Sequence, residues 1–115
     1  MHTPQSLFAN LPSSLPKELV NPLLEMPGFR IERIVSYGHS SPEGFWYDQD
    51  TDEWVVIISG AARLQFHGEE PIEMKAGSFI NIAAHQKHRI VWTDPNQPTI
   101  WLAVHSTPVI EELID

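Results

Sequence analysis

The chain has 115 residues, 42% hydrophobic and 19% charged, the proportions of one soluble globular domain and not of a fibrous or disordered chain. It contains no cysteine, which excludes disulfides, thiolate metal sites and cysteine nucleophiles. Seven Lys and Arg against fifteen Asp and Glu give a formal net charge of −8, which argues against nucleic acid or an anionic membrane as partner.

No apolar run approaches the roughly 20 residues of a membrane span. The N-terminal stretch MHTPQSLFANLPSSLP lacks the basic start and long apolar centre of a secretory signal, so a cytoplasmic protein is expected. Residues 1–28 are proline-dense, with Pro4, Pro12, Pro16, Pro22 and Pro27. Ser14, Pro16 and Glu18 resemble a helix start, and Leu15, Leu19 and Leu23 share a four-residue spacing. Pro22 would break a continuous helix, but Asn21 capping a second turn with Pro22 at its first position removes the conflict. The expectation is an arm of two short helical turns ending at Pro27-Gly28.

From Phe29 onward the pattern is strand and turn. Strands are predicted over 29–37, 53–58, 61–66, 72–75, 79–83, 88–92 and 99–105, with 109–115 a helical turn or closing strand. Ser59-Gly60 supplies a tight reversal, and TDPNQP (93–98) is a strong turn signal. Short strands at this spacing, with no long helical period, indicate an all-β sandwich or barrel. Within it, the run from Gly44 to Gly60 joins Phe45, Trp46, Tyr47 and Gln49 to an acidic stretch, then Glu53 and an apolar strand. A carboxylate at that position either meets water or has a partner inside, because an unpaired buried charge is expensive. No serine sits in a nucleophile-elbow pattern, and there is no glycine-rich phosphate loop.

Two stretches resemble the paired motifs of the cupin superfamily, small jelly-roll β-barrels. Glu53 and Gly60 match the end of the first motif with its six-residue spacing, while its two histidine positions hold Tyr47 and Gln49. In the second motif Gly77 and His88 match, Ala83 and His85 replace a proline and a glycine, and Trp92 replaces an asparagine. The resemblance implies a cupin-type jelly-roll barrel over 29–115. It also implies a divalent ion (iron, manganese, nickel or zinc), oxygenase or isomerase chemistry on a small molecule, and a homodimer. The implied ligands are Glu53 and His88, with Gln49 as a neutral oxygen donor and Tyr47 as an uncommon one.

Residue parity tests the same set. Residues 47, 49, 53 and 55 share a face of an unbroken strand. One extra residue in the turn-like DQDTD would bring Asp48 inward instead of Gln49, so Asp48 stays an alternative ligand. Glu53 serves as ligand or acid/base; the plain alternative pairs it with Arg89, Arg63 or solvent. His85, in a turn three residues before His88, could join the ion or shuttle a proton. His105 reads as a structural histidine, His2, His39 and His67 as loop residues, and Asp50 and Asp52 as a solvated turn. Besides the metal-dependent enzyme, two readings stand: a small-ligand-binding barrel without a metal, and a structural barrel with a satisfied polar interior.

Overall fold

The computed structural model describes residues 2–108, so the element expected over 109–115 lies outside the described residues. Eight strands follow in order: β1 (Leu19–Met26), β2 (Phe29–Ser36), β3 (Asp52–Ser59), β4 (Ala61–Phe66), β5 (Ile72–Lys75), β6 (Phe79–Ile82), β7 (His88–Thr93) and β8 (Thr99–Ser106). They form a five-stranded sheet, β1-β2-β8-β3-β6, facing a three-stranded sheet, β5-β4-β7. All pairings are antiparallel. This is the expected all-β jelly roll.

Alternation builds the interior. On β3, Glu53, Val55 and Ile57 are buried, and on β8 so are Trp101, Ala103 and His105. From the opposite sheet Ala62, Leu64 and Phe66 on β4 and Met74 on β5 meet Val55, Ile57, Trp101 and Ala103 in one apolar cluster. The β3–β4 reversal needs Gly60, whose φ is +96°; a Cβ there would lie 2.5 Å from Thr99 Oγ1 and 2.6 Å from Thr99 Cα.

The expected helical arm is not present: among the described residues there is no helix, and Leu19–Met26 is the edge strand β1. Its register with β2 shifts between Pro22 and Leu24. An edge strand with a bulge tolerates the missing N–H of proline, which a central strand would not. Of the leucines that suggest a helical stripe, Leu15 precedes the sheet, Leu19 is half-buried on β1 and Leu23 is exposed beside the bulge.

Residues before β1 run without regular structure along β2. Arg33, only 7% exposed, holds them. Its guanidinium donates to the carbonyls of Leu7 (3.0 Å) and Ala9 (2.6 Å) and twice to Asn21 Oδ1 (3.1 and 2.7 Å). His39, expected in an exposed loop, is partly buried and adds a second tie. Its Nδ1 accepts from the Tyr37 amide, so Nε2–H donates to the Leu15 carbonyl.

Candidate functional site

Four strands, one loop and the segment before β1 bring polar groups to a cavity of about 180 Å³ between the sheets. Glu53, near the start of β3, lies between Ile82 of β6 and His105 of β8. His88 begins β7 and is bridged to Tyr47 by backbone bonds of 2.7 and 3.2 Å. This bridge stacks the two rings, centroids 5.4 Å apart and planes 23° apart. Gln49 follows two residues later, held by a bond from the His85 amide to its carbonyl. Glu18 and Arg30 close the wall from the N-terminal side, with Glu32 next to Arg30 on β2.

Glu53 is 8% exposed and sits between two imidazoles. Its Oε1 is 3.6 Å from His88 Nε2, and its Oε2 is 3.7 Å from His105 Nε2. His105 Nε2 also lies 3.1 Å from Glu32 Oε1, and Glu32 Oε2 receives a bond from Arg30 Nε at 3.1 Å. Carboxylates and imidazoles thus alternate through the wall as Glu32, His105, Glu53 and His88. His88 Nδ1 is 2.8 Å from the Gln86 carbonyl and must donate to it, which leaves Nε2 facing Glu53. Burial works against a charged His88, but the Glu53 carboxylate and the Gln86 carbonyl outweigh it and raise its pKa above the ordinary value. Burial also pushes the Glu18 carboxyl up, against a 3.0 Å bond from Ser36 Oγ. The Tyr47 hydroxyl is raised by burial and by the nearby Glu18 and Glu53.

The sequence matches the Cupin_2 family, the cupin domain, over residues 34–105. The chain is a cupin. A crystal structure of a "putative mannose-6-phosphate isomerase" from Ralstonia eutropha JMP134 is 45% identical, with a TM-score of 0.90 over 93% of this chain and 100% of that one. A cupin superfamily protein from Desulfitobacterium hafniense DCB-2 shares the fold at 16% identity, TM-score 0.76, covering 94% of each chain. An RmlC-like cupin with a double-stranded β-helix fold, from Methanocaldococcus jannaschii, does so at 19% identity, TM-score 0.66, covering 92% of this chain and 94% of that one. No protein of curated function matches the chain.

In this cupin Tyr47, Gln49, Glu53 and His88 all line the cavity, so the turn before β3 keeps the parity that places Gln49 inward. Asp48 and His85 do not line it. They pair with each other at 2.8 Å, with exposed side chains. His85 occupies the position of the motif's glycine and keeps a left-handed backbone, φ +64°. Arg89 and Arg63, the alternative partners for Glu53, go elsewhere: Arg89 to the Ser41 and Pro42 carbonyls, Arg63 to Glu73. Asp52 is no free turn residue, since it accepts from the Ala84 amide at 2.8 Å.

The sequence pattern does not point to Glu18, Arg30 or Glu32 as site residues, and it reads His105 as structural. Parity along β2 and β8 was a signal for Glu32 and His105, each two residues from an inward apolar neighbour. Glu18 had none, because it lies in a segment read as helical. Of the ligands the resemblance implies, the cavity offers Glu53, His88 and Gln49. That set holds one imidazole and one carboxylate, and both Glu53 oxygens already face imidazole nitrogens. Among the described residues no group of three or more His, Asp or Glu is arranged to hold a metal ion. The donor set is a poor fit to a tightly held ion.

Proposed function

We propose that this cupin is a proton-transfer enzyme of the isomerase type acting on a small molecule, with no step through a metal. The observation that carries the reading is Glu53, a carboxylate held at the cavity wall between two imidazoles. Glu53 takes a proton from the carbon beside a substrate carbonyl, while charged His88 gives one to the carbonyl oxygen. The enediol then collapses: protonated Glu53 returns its proton to the former carbonyl carbon, and the neighbouring hydroxyl returns one to His88.

Aldose–ketose isomerisation, named for the 45% identical relative, is proton transfer of this kind. Its phosphate is not well served here. Among the described residues Arg30 is the one Lys or Arg lining the cavity, and it is paired with Glu32. An engineered cavity of about 150 Å³ holds benzene, so one of about 180 Å³ suits an unphosphorylated molecule. A second reading, a metal-dependent oxygenase or isomerase, draws on one observation: Gln49 Oε1 is buried without a partner in the same wall.

The test is solvent exchange. Chelator-treated protein is incubated in D₂O with small aldehydes, ketones, amino ketones and unphosphorylated sugars, and carbon-bound deuterium is followed by NMR. Incorporation is expected, slowed at least about 100-fold by Glu53→Gln. Exchange that requires added metal, exchange indifferent to Glu53→Gln, or no exchange with any compound overturns the reading. We further propose a homodimer through the outer side of β1, where Leu24 and Met26 are exposed. A monomer by light scattering at micromolar concentration removes that idea.

A further inference from the structure

The cavity wall is rich in carboxylates and carries two buried acceptors without a partner. Glu18, Glu32 and Glu53 contribute three carboxylates, and Gln49 Oε1 is buried without a partner. His105 gives its Nε2–H to Glu32, so its Nδ1 is a bare acceptor, also buried and unpartnered. Against these stands one unpartnered buried donor, the Trp101 indole N–H. Trp101 and His105 are each at least nine-tenths buried, and both line the cavity.

The charges are uneven as well. Arg30 answers Glu32, and His88 answers Glu53. Glu18 receives the Ser36 hydroxyl and feels the nearby His39, and among the described residues no Lys or Arg pairs with it. Burial of this carboxylate costs free energy that a cation entering the cavity would recover. Tyr47 and Trp101 add aromatic surface, which attracts cations in its own right.

We propose that the cavity is a site for a small organic cation, an amine or guanidine, with Glu18 as its counter-ion. Such a group carries donors and no acceptors, which a sugar hydroxyl does not. The proposal rests on the reading of this cavity as a substrate site, and it says that the substrate carries an ammonium or guanidinium group beside its carbonyl.

Three ligands of matched size separate the possibilities: benzylammonium, benzyl alcohol and benzoate, with mannose 6-phosphate as a fourth. Binding to the full chain is measured by NMR, following the Trp101 indole N–H, and by calorimetry. Benzylammonium is expected to bind at least tenfold more tightly than the alcohol, with benzoate and the phosphosugar weaker still. Glu18→Gln is expected to reduce the preference for the amine over the alcohol at least fivefold. The ranking in the unaltered protein stands as a test even if that variant fails to fold. Equal or tighter binding of the alcohol, benzoate or phosphosugar overturns the proposal. So does a preference untouched by Glu18→Gln, or tight binding of Mn²⁺ or Zn²⁺ that excludes the amine. Because binding needs no turnover, a failed deuterium exchange with this ranking intact removes the catalytic reading alone, and the reverse outcome removes this proposal alone.

Discussion

Replacing Arg33 with methionine keeps an unbranched apolar stem and removes a guanidinium that makes four hydrogen bonds, to Leu7, Ala9 and Asn21. A hydrogen bond from a charged donor is worth about 1.5–3 kcal/mol net, so four would suggest about 6–12 kcal/mol. Two effects reduce this. The Leu7 and Ala9 carbonyls regain water once the segment lifts, and removing a guanidinium that is 7% exposed returns a desolvation cost of several kcal/mol. The expected net loss for Arg33→Met is about 2–4 kcal/mol. Urea unfolding followed by tryptophan fluorescence reads the stability. Trypsin reads the segment itself, because Lys17 is the sole Lys or Arg before Arg30. Cleavage after Lys17 should be at least tenfold faster in the variant. A loss below about 1 kcal/mol with unchanged cleavage at Lys17 would refute the view that Arg33 anchors the N-terminal segment.

Gly60→Ala should cost about 3 kcal/mol or more, from a left-handed backbone and the contact with Thr99; near-native stability in guanidinium denaturation contradicts the turn geometry. His88 should titrate above about 6.5 in the folded protein, so its stabilising contribution is complete below that pH and disappears as pH rises through the folded value. An NMR titration should place its midpoint above the ordinary value and show it falling in Glu53→Gln; a midpoint at or below about 6.5 is the contrary result. Chelation followed by dialysis should leave thermal stability unchanged, and a fall of several degrees would mean that a bound ion supports the fold. His85→Gly should stay within about 1 kcal/mol of the parent, since relief of a left-handed φ offsets glycine's entropy and the lost, exposed contact to Asp48.

Much of the barrel was legible because alternation and turn residues are local signals. β4 and β5 fall where the sequence predicts them, and the other five strands from β2 onward are within one or two residues. The inward set Tyr47, Gln49, Glu53 and His88 was legible for the same reason: parity and motif spacing survive in one dimension. β1 was not, because proline and spaced leucines describe a helical arm as well as they describe a bulged edge strand. Glu32 and His105 touch across strands 73 positions apart, and Glu18 reaches Ser36 only once β1 lies against β2. Such encounters depend on sheet register, which no short window of sequence contains.

β8 runs between β2 and β3, and on both sides its register sets which side chains meet. The same turn of the strand that sends Trp101 and Ala103 into the apolar cluster sets His105 between Glu32 and Glu53. Sliding β8 by one residue would pull the indole out of the interior and the imidazole away from both acids in a single movement. Loss of mechanical order and loss of the polar wall are therefore one event at this strand: a copy of the molecule with β8 misthreaded has neither a filled barrel nor the row of acids and imidazoles.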